Sequence, residues 1–149
     1  MTEILRCEKG DVSEVLIEDR DSSRTIIAFG GVNGRLGMPP FEWQKITENL
    51  DANIVFIRDI EQAWYQRLLG KRYLSRNELS LIDPRLGAII SGRQTITLGN
   101  SMGGYAAIAF GSLLGANLIL GFSPQTFIDP VSRIRHKDWR WKSKFCECI

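Results

Sequence analysis

The run Thr95-Ile96-Thr97-Leu98-Gly99-Asn100-Ser101-Met102-Gly103-Gly104-Tyr105-Ala106-Ala107 carries three signals in succession. Thr95 to Leu98 is β-branched and apolar, which predicts a short buried strand. Gly99, Ser101 and Gly103 then alternate with other residues, which predicts a sharp turn. Tyr105 to Leu114 is a small-residue, apolar run and predicts a helix. Ser101 stands at the apex of this strand, turn and helix. A strained backbone there holds its side chain clear, and Gly99 and Gly103 fall where strand and helix come closest, so a side chain at either would clash. The helix turns its positive N-terminal end toward Ser101.

Further strands lie to either side. Thr25 to Phe29 is apolar and ends in Gly30-Gly31. Asn53 to Ile57 and Asn117 to Gly121 read as buried strands of the same kind. Glu3 to Cys7 and Glu14 to Glu18, joined by Glu8-Lys9-Gly10-Asp11, read as an antiparallel hairpin at the sheet edge. Between them, Phe41 to Leu50 suits a short helix. Ile60 to Leu69 suits a loop passing into a helical piece with Trp64, Tyr65 and Leu68 on one side. Ile82 to Ser91 suits a helix that starts at Asp83-Pro84. Gly115-Ala116 stops the helix after Ser101. Apolar runs without alternation, separated by helical stretches, predict an α/β fold with a mostly parallel, doubly wound sheet of about six strands. Residues 1–128 form the core in this reading, and residues 129–149 a basic, aromatic tail.

Composition narrows the function. The chain has 149 residues, 44% hydrophobic and 24% charged, with a formal net charge of +2. One domain of ordinary composition is expected. The charge is too small to indicate a nucleic-acid partner, and the apolar runs are too short or too broken to span a bilayer. The opening Met1-Thr2-Glu3-Ile4 has no basic region followed by an apolar core, so no signal peptide is expected, and a reducing cytoplasm is. Cys7, Cys146, Cys148 and His136 make no convincing ligand set, so neither a metal nor a cofactor is expected. In the tail, Arg133, Arg135, Lys137, Arg140, Lys142 and Lys144 alternate with Ile134, Trp139, Trp141 and Phe145. This reads as a solvated segment whose aromatics pack on the domain.

The pair Phe29-Gly30-Gly31 and Gly99-Asn100-Ser101-Met102-Gly103-Gly104-Tyr105 resembles the α/β-hydrolase superfamily, over roughly Ile26 to Pro124. The resemblance implies a serine hydrolase of the esterase, thioesterase or acyl-transfer kind, acting on a small ester or acyl substrate. Ser101 would be the nucleophile. The N–H groups of Met102 and of Gly30 or Gly31 would hold the oxyanion. An acid and a histidine should follow the serine in chain order. Asp129 is the acid within reach and His136, the single histidine, the base. Yet His136 follows Ser101 by fewer residues than two βα units occupy, and it lies between Arg135 and Lys137. The economical reading is a nucleophile half that ends before the histidine half. The competing reading is a non-catalytic binding or interaction module with an incomplete triad. Phe41 and Trp43 suit either a pocket wall or a cap on the core. With no late strands, Asn117 to Gly121 becomes an edge, which a second copy of the chain could cover.

Overall fold

The computed structural model describes residues 14–32, 41–66 and 84–139. Its elements in chain order are β1 (Val15–Glu18), β2 (Arg24–Phe29), α1 (Gln44–Thr47), β3 (Asn53–Ile57), α2 (Pro84–Ile90), β4 (Gln94–Asn100), α3 (Met102–Leu114), β5 (Leu118–Phe122) and α4 (Pro130–Arg135). The strands form one sheet in the order β1-β3-β2-β4-β5. Strands β2 to β5 are mutually parallel, and β1 runs antiparallel to β3, so the sheet is mixed but mostly parallel. Five of the six expected strands lie among the described residues. The sixth, Glu3 to Cys7, lies outside them, as do Leu68, Trp141, Cys146 and Cys148.

Successive residues of a strand point to opposite faces, and both faces are covered. On one face Ile27, Phe29, Val55 and Ile57 pack under Leu86, Ile89 and Ile90 of α2 and under Met102, Ala106, Ala107, Phe110 and Leu114 of α3. On the other, Ile26, Ala28, Ile54, Phe56 and Leu98 pack with Phe41, and Trp43 lies against them. Burial on both faces is why the central strands read as unbroken apolar runs. Phe29 is fully buried, stacked on Phe110 at 5.1 Å and edge-on to Tyr65 at 5.5 Å. Its burial contributes about 2–3 kcal/mol, and each ring pair about 1 kcal/mol more.

Three local expectations change. The helix after Ser101 starts at Met102 rather than Tyr105, because the glycines adopt helical geometry as readily as they make the turn. It stops at Gly115, whose φ of 62° permits the closing bonds Gly115 N–H to Ser112 O and Ala116 N–H to Gly111 O. Trp64 and Tyr65, expected in a helical piece, are buried in left-handed turns with φ of 55° and 56°. One Asp59 carboxylate oxygen accepts from both Ala63 N (2.7 Å) and Tyr65 N (2.8 Å), and so draws these amides out of helical pairing. The described part of the tail, expected to be solvated, holds α4. There Arg133 is buried while Ile134 is 61% exposed, because one turn faces the basic side chain inward and its aliphatic stem can be buried.

Candidate functional site

Neighbouring parallel strands β2 and β4 send their following connections to opposite sides, β2 toward β3 and β4 toward β5. The crevice beyond their carboxyl ends is the switch point where open α/β sheets receive ligands. Phe29 at the end of β2 is in register with Gly99 near the end of β4. The Gly30-Gly31 loop and the Ser101 turn therefore lie side by side at this edge.

Ser101 has φ 55° and ψ −116°, a backbone that costs a non-glycine residue about 1–3 kcal/mol. Neighbouring backbone maintains it. Ser101 N–H donates to Phe122 O at 2.9 Å, and Ser101 O accepts from Tyr105 N at 3.1 Å and Gln125 N at 3.4 Å. Close approach explains the glycines. A Cβ on Gly99 would overlap the carbonyl of Gly103 and reach 2.9 Å from Gly104 N. A Cβ on Gly103 would overlap Phe29 O and come within 2.8 Å of Gly30 O. The N-terminal turn of α3 thus sits directly on the ends of β4 and β2. Met102, fully buried, is the first residue of α3, and a first-turn N–H has no acceptor within its own helix.

The two glycines expected to offer an N–H differ. Gly30 N–H donates to Ile57 O at 2.9 Å; it is part of the sheet's bonding and does not face a ligand, which corrects the expectation for that residue. Gly31 N–H lies outside the sheet's bonding and donates to a Glu42 carboxylate oxygen at 2.7 Å. Gly31 also abuts the elbow: a Cβ there would lie 3.1 Å from Asn100 O and 3.2 Å from the same Glu42 oxygen. The loop is held from below by Tyr65, whose buried hydroxyl lies 2.8 Å from Gly30 O and 3.1 Å from Ile57 O and donates between them. Burial pushes this hydroxyl well above its ordinary pKa, and the Asp59 carboxylate adds to the shift.

Phe41 and Trp43 divide the two roles expected of them. Phe41 is buried against Phe56, with the Arg58 guanidinium over its ring. Trp43 reaches the carboxyl edge, where its Nε1 donates to Phe29 O at 3.2 Å and its ring meets Phe122 at 5.8 Å. Phe122 is 51% exposed, and its carbonyl is the one that holds Ser101 N–H.

Asp129 caps α4: its exposed carboxylate accepts from Ser132 N at 2.8 Å, which lowers its pKa. His136 is exposed at the end of α4 and stacks on Phe127, with ring centroids 4.3 Å apart. The structure brings neither Asp129 nor His136 into hydrogen-bond contact with Ser101; among the described residues no side chain bonds the Ser101 hydroxyl. The segment they occupy is nevertheless tied to the elbow through Gln125, whose side chain also lies 3.4 Å from Asp138.

Glu42 and Tyr65 were not singled out by the sequence as site residues. Tyr65 had a usable signal, since a buried tyrosine needs a partner for its hydroxyl. Glu42 had none, because its partner is a backbone N–H across a loop. Among the described residues no group of three His, Cys, Asp or Glu side chains could hold a metal ion, and no helix is long and apolar enough to cross a membrane. Compared with known proteins, the chain is matched by no family model, no curated protein and no solved structure.

Proposed function

We propose that the chain is a serine hydrolase of the α/β-hydrolase type, acting on a small ester or acyl substrate. The observation that carries this is the strained Ser101 turn, walled by glycines, at the switch point of a mostly parallel sheet. A strand-to-helix turn of this kind presents a serine hydroxyl to a carbonyl carbon. Ser101 Oγ adds to that carbon and gives its proton to a base, and the carbonyl electron pair moves onto oxygen. The N–H groups of Met102 and Gly31 then hold the oxyanion, each contributing about 3 kcal/mol. Collapse expels the leaving group with a proton, and water releases the acyl group from Ser101. His136 is the candidate base and Asp129 the candidate acid that would orient it; in the structure Asp129 bonds Ser132 and His136 stacks on Phe127.

The test is a fluorophosphonate probe with Ser101→Ala as the blank. Labelling at Ser101 within minutes supports the proposal, and loss of labelling in His136→Ala assigns the base. Absent labelling favours the second reading, a binding module without a working triad. Two observations favour that reading: among the described residues no side chain bonds the Ser101 hydroxyl, and β5 is exposed. β5 pairs on one side with β4, and Leu118, Leu120 and Phe122 are 47%, 38% and 51% exposed. No charge or proline in Leu118–Phe122 discourages strand pairing. A second copy pairing along β5 would cover this edge under either reading. A monomer by light scattering at tens of micromolar removes that claim.

A further inference from the structure

Glu42 places a carboxylate on the Gly31 N–H that the proposed chemistry needs for itself. We infer that Glu42 is a built-in occupant of the oxyanion hole: its carboxylate holds Gly31 N–H in the resting protein and must leave before a substrate oxyanion can take that donor. The inference rests on the hydrolase reading of the same site.

Three observations support it. The bond is short and charge-assisted, 2.7 Å from Gly31 N to Glu42 Oε2, in the strong class of protein hydrogen bonds. Gly31 itself lies against the elbow, because a Cβ built on it would come 3.1 Å from Asn100 O, the carbonyl just before Ser101, and 3.2 Å from the same Glu42 oxygen. Finally, Glu42 belongs to a strap with its own anchor. The next residue, Trp43, bonds Phe29 O through its indole and rests on Phe122. Trp43 also holds a left-handed φ of 78° at the start of α1. The indole bond and the ring contact hold the strap to the ends of β2 and β5 while Glu42 reaches Gly31.

A carboxylate resembles an oxyanion in charge and acceptor geometry, so the donor that stabilises one stabilises the other. They cannot share a single N–H, and the bound carboxylate also repels the charge that develops on the substrate oxygen. Displacement of Glu42 is therefore part of activation, by substrate binding or by movement of the strap.

The test compares fluorophosphonate labelling rates of the full chain, Glu42→Ala and Glu42→Gln, with thermal melts to check folding. Phosphonylation of Ser101 also develops negative charge on an oxygen, so it reads the same hole. Glu42→Ala is expected to label about 10-fold faster or more, below the 10²–10³ that one donor is worth in full. Glu42→Gln, neutral but still able to accept from Gly31, should lie between. Added acetate should slow Glu42→Ala by refilling the hole and leave the unaltered chain unchanged. If the unaltered chain labels and Glu42→Ala labels no faster, the inference is overturned while the hydrolase reading stands. If no variant labels, both fall. A Glu42→Ala that melts early leaves Glu42→Gln to decide: labelling at or below the unaltered rate overturns the inference.

Discussion

Replacing Gly99 by alanine tests the elbow where it is tightest. The added methyl would overlap the oxygen and carbon of Gly103 and sit 2.9 Å from Gly104 N. All three are backbone atoms of the first turn of α3, so no rotamer change relieves them. The helix start cannot easily retreat either, because Gly103 is itself packed onto Phe29 O and Gly30 O. Overpacking costs about 1–3 kcal/mol, and rigid neighbours place this site at about 3 kcal/mol or above. The stiffer unfolded chain returns about 0.4–1 kcal/mol. A net loss of about 2–3 kcal/mol, at a urea slope of about 2 kcal/mol/M, lowers the unfolding midpoint by about 1–1.5 M. Gly121→Ala is the control. There the nearest atoms, Gly104 O and Ile108 Cδ1, are each at 3.4 Å, an ordinary contact, so stability should stay within about 0.5 kcal/mol or rise slightly. Urea unfolding followed by tryptophan fluorescence measures both variants. Equal midpoint shifts, or a Gly99→Ala chain as stable as the parent, would refute the argument that the elbow closes on its glycines.

Strain at Ser101 gives a second expectation. Glycine accepts φ 55° without a Cβ penalty, so Ser101→Gly should be more stable than Ser101→Ala by about 1 kcal/mol, although neither retains a nucleophile; thermal melts that coincide would show the turn to be unstrained. Tyr65→Phe removes the donor to Gly30 O and Ile57 O; Ile57 O keeps the N–H of Gly30, so the loss is that of one hydrogen bond, about 1 kcal/mol, measurable as a lower urea midpoint at neutral pH. The same residue sets an alkaline limit. Its folded-state pKa is raised above 10.0, mainly by burial, so the unfolded chain ionises first. Its contribution is complete below pH 10 and is lost as pH climbs toward the folded value. Stability should fall less steeply above pH 10 in Tyr65→Phe than in the parent, and identical slopes at pH 9 to 11 would show that Tyr65 is not the group responsible.

The sequence by itself determined the elements and their local chemistry. Unbroken apolar runs specify strands buried on both faces, and Gly99, Ser101 and Gly103 specify a turn with room for no side chain, because both signals act over a few consecutive residues. The tertiary structure alone decided which backbone groups remain available. Gly30 and Gly31 are equivalent in sequence, but pairing of β2 with β3 takes the N–H of Gly30 into the sheet and leaves that of Gly31 outside it. Glu42, eleven residues further along, fills it. The turn at Trp64 and Tyr65 likewise depends on Asp59 outcompeting the helix that local propensity suggests. Hydrogen bonds between a side chain and a distant backbone group leave no periodic trace in a sequence. The outline of the site could therefore be read from the residues, and the occupant of its donor only from the fold.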